Sequence, residues 1–130
     1  MQRTVIEFSL RSDANADFQS MRTVIEKSLG CKFREATLQG SDVFTTMILG
    51  MQIIFGVWRG IGAQLTFQLH GIVNDPRFLT GITCDPPLNI ISIDQAIIDL
   101  LEINGAPGWR VPSKAELDAE IMFDEQNRDE

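Results

Sequence analysis

The stretch GMQIIFGVWRGIGAQLTFQLHG, residues 50–71, places one charged side chain, Arg59, in twenty-two positions. Read as a strand, its first half is mostly apolar on both faces. Its second half alternates apolar with polar residues, so that one of its faces is polar. A period of two is typical of β-strands, and the sequence RGIG between the halves is typical of a turn. We therefore predict a β-hairpin whose first strand is central and whose second lies nearer an edge or has a solvated polar face.

Length and spacing exclude a membrane-spanning helix and a phosphate-binding loop for this stretch. The longest uncharged run, residues 43–58, has sixteen residues and two glycines, whereas a membrane-spanning helix needs about 20 apolar residues. The glycine spacing matches neither GxGxxG nor GxxxxGK[ST], so we reject a phosphate-binding loop. No charged segment followed by an apolar one opens the chain. We therefore expect a cytoplasmic protein, not associated with a membrane, with reduced cysteines.

The remaining patterns predict one α+β domain over residues 1–130. Strand-like patterns cover residues 3–11, 32–38, 42–49 and 88–91, and helical patterns cover residues 13–29, 93–103 and 114–125. Turn-forming residues occupy 74–76, and the two prolines of 85–87 exclude regular structure there. We expect an antiparallel sheet of about four to six strands packed against helices, with residues 126–130 frayed.

Helix boundaries are marked by capping residues. Residues 12–13 offer an N-cap for the first helix, which Gly30 ends. Ser92 and Gln95 have the spacing of a capping box, and Ser113 and Glu116 repeat it at the start of the last helix. In that last helix we expect the apolar positions, Leu117 and Ile121, to face inward and the acidic positions to face outward.

The chain offers little that is typical of catalysis. His70 is the only histidine, and the sequence gives it no neighbouring nucleophile or orienting carboxylate. A Cys–His pair with Cys31 or Cys84 remains an alternative to a surface or hydrogen-bonded histidine. One histidine and two distant cysteines do not make a zinc tetrad, and no calcium loop is present. We expect no catalytic residues, metal or cofactor.

Charge favours protein partners over nucleic acids. The net charge of −7 is uneven: residues 1–64 carry +1 and residues 65–130 carry −8. An acidic protein repels phosphates and attracts basic proteins, so direct nucleic-acid binding is disfavoured. The candidate partner-binding residues are the aromatic and arginine anchors Trp58, Arg59 and Trp109, which are types enriched in binding hot spots, and the carboxylates Glu116, Glu120, Asp124 and Glu125 of the last helix.

The runs ILGMQIIFGVWRGIGAQLTFQLHG and IISIDQAIIDLLEINGAPGWRVPS, in a small acidic α+β chain, resemble bacterial immunity proteins of polymorphic toxin systems. The resemblance covers most of residues 48–113, and no site residues carry over from it. It implies stoichiometric inhibition of a cognate toxin, such as a basic nuclease domain, with no turnover. In such a complex, the anchors Trp58, Arg59 and Trp109 would provide the affinity. The carboxylates of the last helix would raise the rate of association.

Two alternatives from other classes stay open. One is a small-molecule-binding or enzymatic domain, with a pocket on the polar strand face that carries Gln64, Thr66, Gln68 and His70. The other is a homo-oligomeric structural module, for example a homodimer, in which the apolar hairpin pairs edge to edge with a second copy.

Overall fold

The computed structural model describes residues 4–38, 40–73 and 89–128, with side chains as far as residue 123. These residues form β1 (Thr4–Asp13), α1 (Phe18–Leu29), β2 (Arg34–Leu38), β3 (Ser41–Ile48), β4 (Met51–Arg59), a short 3₁₀ turn (Ile61–Ala63), β5 (Leu65–Val73), β6 (Asn89–Ser92), α2 (Asp94–Ile103) and α3 (Lys114–Arg128). The features predicted at residues 74–76 and 85–87, and Cys84, lie outside the described residues.

The six strands form one sheet in the order β2-β3-β4-β5-β1-β6. Every neighbouring pair is antiparallel except β1 with β6, which is parallel. The predicted α+β class, with an antiparallel sheet packed against helices, is therefore confirmed. The strand predicted at residues 88–91 is confirmed as β6, but its parallel pairing with β1 was not predicted, because strand direction relative to a distant partner leaves no trace in local periodicity.

One face of the sheet is apolar and is covered by α1 and α2. Strand register places Leu69 of β5 opposite both Leu10 of β1 and Phe55 of β4, so large side chains of three strands stand side by side. Onto them pack Phe18, Met21, Val24, Ile25 and Leu29 of α1, and Ile97, Ile98 and Leu101 of α2. Burial of apolar surface, at about 25 cal/mol per Å², is the main force that holds this layer together.

Aromatic rings occupy the centre of this core. The ring centroid of Phe18 lies 4.8 Å from those of both Phe44 and Phe55. Trp109, in the segment between α2 and α3, meets Phe55 edge-on at 6.5 Å. Aromatic pairs at such distances contribute about 0.5–1.5 kcal/mol each beyond burial. Phe55 therefore anchors both α1 and the segment that leads into α3.

The start of α1 differs from the prediction. Residues 12–13 are not a cap, because β1 continues through both of them and pairs with β5 as far as Thr66. The cap is Asp17, whose carboxylate accepts a hydrogen bond from the backbone N–H of Ser20 at 3.1 Å. Pairing with a distant strand overrides the local signal here. The predicted end at Gly30, which has a positive φ of 69°, is confirmed.

The start of α2 also differs, because the predicted capping box does not form. Ser92 is the last residue of β6, and α2 begins at Asp94 with Ile93 as a cap that makes no side-chain bond. Gln95 instead donates to Asp99 at 2.8 Å. The parallel pairing of β6 with β1 holds the Ser92 backbone extended, and the Ser92 hydroxyl accepts a hydrogen bond from the backbone N–H of Asp94, at 3.4 Å, where the predicted box required that of Gln95.

The hairpin predicted for residues 50–71 is confirmed as β4 and β5, and β4 is central as expected. The prediction for β5 is wrong in two respects. β5 is interior, because β1 pairs with its second side. Its polar face is also buried, with Thr66 and Gln68 each 6% exposed. Periodicity reveals which residues share a face, but it does not reveal what covers that face.

Candidate interaction surface and polar cavity

The second face of the sheet carries polar side chains from the neighbouring strands β1 and β5. Cross-strand pairs on this face are Glu7–Ile72, Ser9–His70 and Arg11–Gln68 between β1 and β5. β4 continues the same rows with Gln52, Ile54 and Gly56. Alternation along each strand produces this arrangement, because the apolar residues between these positions face α1 and α2.

Arg11 is buried in the middle of this polar face, at 3% exposure. Its Nε and Nη2 atoms donate to the two carboxylate oxygens of Glu120 on α3, at 2.8 and 2.9 Å. Its Nη1 atom donates to the carbonyl of Leu10 and to Oγ of Ser9, both at 3.0 Å. A buried charge is tolerated when it is paired and fully hydrogen-bonded. This pair therefore fixes α3 over the polar face.

A second arginine sets the position of the first turn of α3. The backbones of Arg11 and Arg110 exchange two hydrogen bonds of 2.8 Å, which attach the segment before α3 to β1 beyond the residues of β1 that pair with β6. Arg110 binds Glu116 at 2.7 Å, and this hydrogen bond lowers the pKa of the Glu116 carboxyl. The predicted capping box is confirmed: Ser113 and Glu116 exchange side chain–backbone hydrogen bonds of 3.2 Å.

His70 is held at both ring nitrogens within the polar face. Its Nδ1 lies 3.0 Å from Oγ of Ser9, and its Nε2 lies 2.9 Å from Oε1 of Gln68. Because Arg11 already donates to the Ser9 oxygen, the Ser9 hydroxyl is free to donate to Nδ1. Nε2–H then donates to the Gln68 carbonyl, which completes the hydrogen-bonded chain Glu120–Arg11–Ser9–His70–Gln68. The expected hydrogen-bonded histidine is thus observed.

His70 is neutral at physiological pH. Burial, together with the smaller effect of the positive charge on Arg11, lowers the pKa of His70 to about 4. Cys31 is not its partner, because Cys31 packs against the apolar core on the opposite side of the sheet. Burial and the neighbouring Glu26 raise the pKa of the Cys31 thiol, so the thiol stays protonated. Within the described residues, no three His, Cys, Asp or Glu side chains are grouped to hold a metal ion.

A cavity of about 430 Å³ lies over the polar face. Its side-chain lining includes Glu7, Ser9, Leu38, Gln52, Ile54, His70, Ile72, Ser92 and Asp94. Leu38 belongs to β2 and Ser92 to β6, which are the two edge strands. Six flat strands would span about 24 Å from edge to edge, which is too wide for one cavity of this volume to touch both edges. Because residues of both edge strands line the cavity, the two edges curve toward each other and the polar face is concave.

A smaller cavity of about 180 Å³ adjoins the first at His70. Its lining includes Trp58, Gln68 and Glu120, so it lies between the sheet and α3. The indole of Trp58 lies over Gly56, where an added Cβ would stand 2.9 Å from Cζ3 of the ring. Trp58 is half-buried, and its side chain forms part of the wall of the smaller cavity.

The orientation of α3 is the reverse of the predicted one. Glu116, Ala119, Glu120 and Phe123 face the protein, whereas Leu117, Ile121 and Met122 are 40%, 55% and 48% exposed. Two buried or half-buried arginines, Arg11 and Arg110, attract the carboxylates inward. The helix therefore turns apolar side chains toward solvent. It also continues to Arg128, so residues 126–128 are helical where fraying was expected, and residues 129–130 lie outside the described residues.

The structure brings the two predicted interaction segments together. α3 packs against the 3₁₀ turn that follows Arg59, and against β4. Arg59 is exposed and Ile61, in that turn, is 54% exposed. We refer to the exposed residues of these two segments as the α3–loop surface: Arg59, Ile61, Leu117, Ile121 and Met122.

Other predicted partner-binding residues lie elsewhere. Trp109 is 6% exposed in the core, and Glu120 is 7% exposed in its pair with Arg11, so neither is accessible in this structure. Glu116 is engaged by Arg110. Asp124 and Glu125 lie on α3, and their side chains are outside the described part of the chain. An accessible anchor role is therefore not supported for Trp109 or Glu120.

Sequence reasoning missed Arg11, Ser9 and Asp94. The backbone N–H of Ser9 donates to Oδ1 of Asp94 at 2.9 Å, which ties the start of α2 to β1. Alternation in β1 places Ser9 and Arg11 on the same face of the sheet. It could not have identified partners that stand more than eighty residues away in the chain.

Comparisons of this chain with protein-family models, with curated proteins and with solved structures gave no match. Among the described residues, no helix combines the length and apolar character needed to cross a bilayer.

Proposed function

We propose that this protein binds a partner protein stoichiometrically, without turnover, and that the partner is a cognate toxin domain with a basic surface. The observation that carries the proposal is the reversed orientation of α3. A terminal helix normally buries its apolar positions. Here Leu117 and Ile121 face solvent while carboxylates hold the helix in place.

The α3–loop surface has the composition of a binding patch. It combines exposed aliphatic side chains with one exposed arginine, Arg59, and these come from two segments that contact each other. Clustered exposed apolar residues mark interaction sites on soluble proteins. Each apolar side chain that a partner covers would contribute free energy in proportion to the apolar area removed from water.

Charge favours a basic partner. The chain carries a net charge of −7, made up of −8 on residues 65–130 and +1 on residues 1–64. Long-range attraction raises the rate at which oppositely charged proteins meet, and salt screens it. A basic nuclease toxin would be attracted by such a chain, in line with the immunity proteins that the sequence resembles.

The test is calorimetric titration of this protein with the C-terminal domain of a toxin encoded beside its gene. Ile121→Ser should weaken binding about tenfold or more if Ile121 is an anchor. The matched control is Ile103→Ser, which makes the same change on α2 at a side chain that is 82% exposed. An equal effect of the two substitutions would contradict the α3–loop surface as the binding site.

Salt dependence tests the electrostatic part separately. We expect the association rate to fall as ionic strength rises from about 0.01 M to 0.15 M, because the screening length falls from about 30 Å to 8 Å. A rate that does not change with salt would contradict steering by the acidic half. Light scattering on the protein alone tests the homodimer alternative: a monomer at the working concentration leaves that alternative without support.

A further inference from the structure

The 430 Å³ cavity over the polar face is chemically asymmetric. Two carboxylates line it: that of Glu7, which lies on β1, and that of Asp94, which is the first residue of α2. Leu38, Ile54 and Ile72 supply apolar wall. A volume in this range accommodates a small organic molecule, and a mostly apolar wall with a few placed polar groups is typical of ligand sites.

The two carboxylates have hydrogen-bonding capacity that the described residues do not use. Glu7 has no side-chain partner among those residues, and Asp94 uses only Oδ1, for the Ser9 backbone N–H. The guanidinium of Arg11, which donates to Ser9 of the lining, is bound to both oxygens of Glu120. Arg11 therefore does not neutralise the carboxylates of the cavity, and the cavity has a negative excess.

We propose that this cavity binds a small organic cation, an ammonium or amidinium group carried on a short apolar body. The cationic group donates hydrogen bonds to Glu7 and to the second oxygen of Asp94, and the apolar body packs against Leu38, Ile54 and Ile72. This site is independent of the partner-binding function, since none of the five residues of the α3–loop surface lines it.

The lining disfavours other ligand classes. A phosphate or carboxylate would meet two carboxylates and no unpaired basic group within the described lining. A metal ion would need a third donor of the right kind, and no such cluster exists within the described residues. A purely apolar molecule would leave both carboxylates without partners in a partly buried space, which costs free energy.

The experiment is an NMR titration of the full ¹⁵N-labelled chain with 2-phenylethylammonium, with 2-phenylethanol as the neutral probe of matched shape. We expect saturable shifts of the Ser9, Gln52 and His70 amide signals with the ammonium compound, and about tenfold weaker or undetectable binding of the alcohol. The alcohol lacks the charge that hydrogen-bonds to the carboxylates, and this loss corresponds to about a tenfold weaker affinity. Absence of saturation by the ammonium compound, or equal binding of the alcohol, would overturn the proposal.

Substitutions locate the site. Glu7→Gln should weaken binding of 2-phenylethylammonium about tenfold, whereas Glu35→Gln, the same change at an exposed position on β2, should leave it unchanged. Asp94→Asn is the second variant, because an amide oxygen can still accept from Ser9 while the charge is lost. Equal affinities of Glu7→Gln, Asp94→Asn and Glu35→Gln would place the cation elsewhere and overturn the proposal.

Discussion

Arg11 and Glu120 stand 109 residues apart in the sequence and form two parallel hydrogen bonds, of 2.8 and 2.9 Å, at the centre of the polar face of the sheet. The pair connects the first strand of the chain to its last helix. Because both groups are buried, removal of either one leaves a charge without a partner in a poorly solvated place. The stability of the whole fold is therefore sensitive to this pair.

The first prediction concerns the pair itself. Glu120→Gln should lower the free energy of unfolding by about 3–5 kcal/mol, because Arg11 is left buried without its counter-charge. The double substitution Arg11→Met with Glu120→Leu should lose clearly less, since no buried charge remains. Urea denaturation measures both, and Glu102→Gln, at an exposed position on α2, is the control. A double variant less stable than Glu120→Gln would contradict a dominant cost from the unpaired charge.

The second prediction concerns pH. His70 has its pKa lowered from 6.5 to about 4 in the folded protein, so the unfolded chain takes up a proton at higher pH than the folded one. Its contribution to stability is complete above pH 6.5 and is lost as the pH falls toward 4. At about 1.4 kcal/mol per pKa unit, the loss is about 3 kcal/mol.

The comparison with His70→Gln isolates this effect, because the carboxylates titrate in both proteins. Denaturation series between pH 7 and pH 4 should give a steeper loss of stability for the parent protein than for the variant. Parallel curves would show that the pKa of His70 is the same in the folded and unfolded chains, and would contradict the prediction.

The third prediction tests the orientation of α3. Ile121→Ser should change the free energy of unfolding by no more than about 0.5 kcal/mol, because Ile121 is exposed. Leu101→Ala, at a fully buried position on α2, should cost about 2–5 kcal/mol. Thermal and urea denaturation check both. A large loss for Ile121→Ser would mean that the apolar side of α3 is buried after all.

The fourth prediction concerns the turn between β3 and β4. Leu49 has a positive φ of 50°, is followed by Gly50 at 75°, and is 97% exposed. Two-residue hairpin turns of this kind favour Asn-Gly, and a left-handed backbone costs a leucine roughly 1–2 kcal/mol. Leu49→Asn should therefore raise the free energy of unfolding by about 0.5–1 kcal/mol. Ile103→Asn, where no positive φ is relieved, should bring no such gain.

The local sequence was sufficient to predict where the strands lie and where most of the helices begin and end. The period-two pattern of β4 and β5, the glycine after α1 and the capping box at Ser113 act through neighbours within a few residues. Signals of the same local kind failed at Ser92 and at residues 12–13, because pairing with a distant strand extended β6 and β1 through those positions.

The sequence by itself determined the alternating faces of the sheet and the amphipathic character of the helices, because both depend on backbone geometry repeated every two or 3.6 residues. Only the tertiary structure decided which face of α3 is inside and whether the polar side of β5 meets water. Those outcomes depend on where Arg11 and Arg110 stand relative to Glu120 and Glu116. Two buried or half-buried cations attract carboxylates more strongly than the sheet attracts Leu117 and Ile121, and no local pattern encodes that competition.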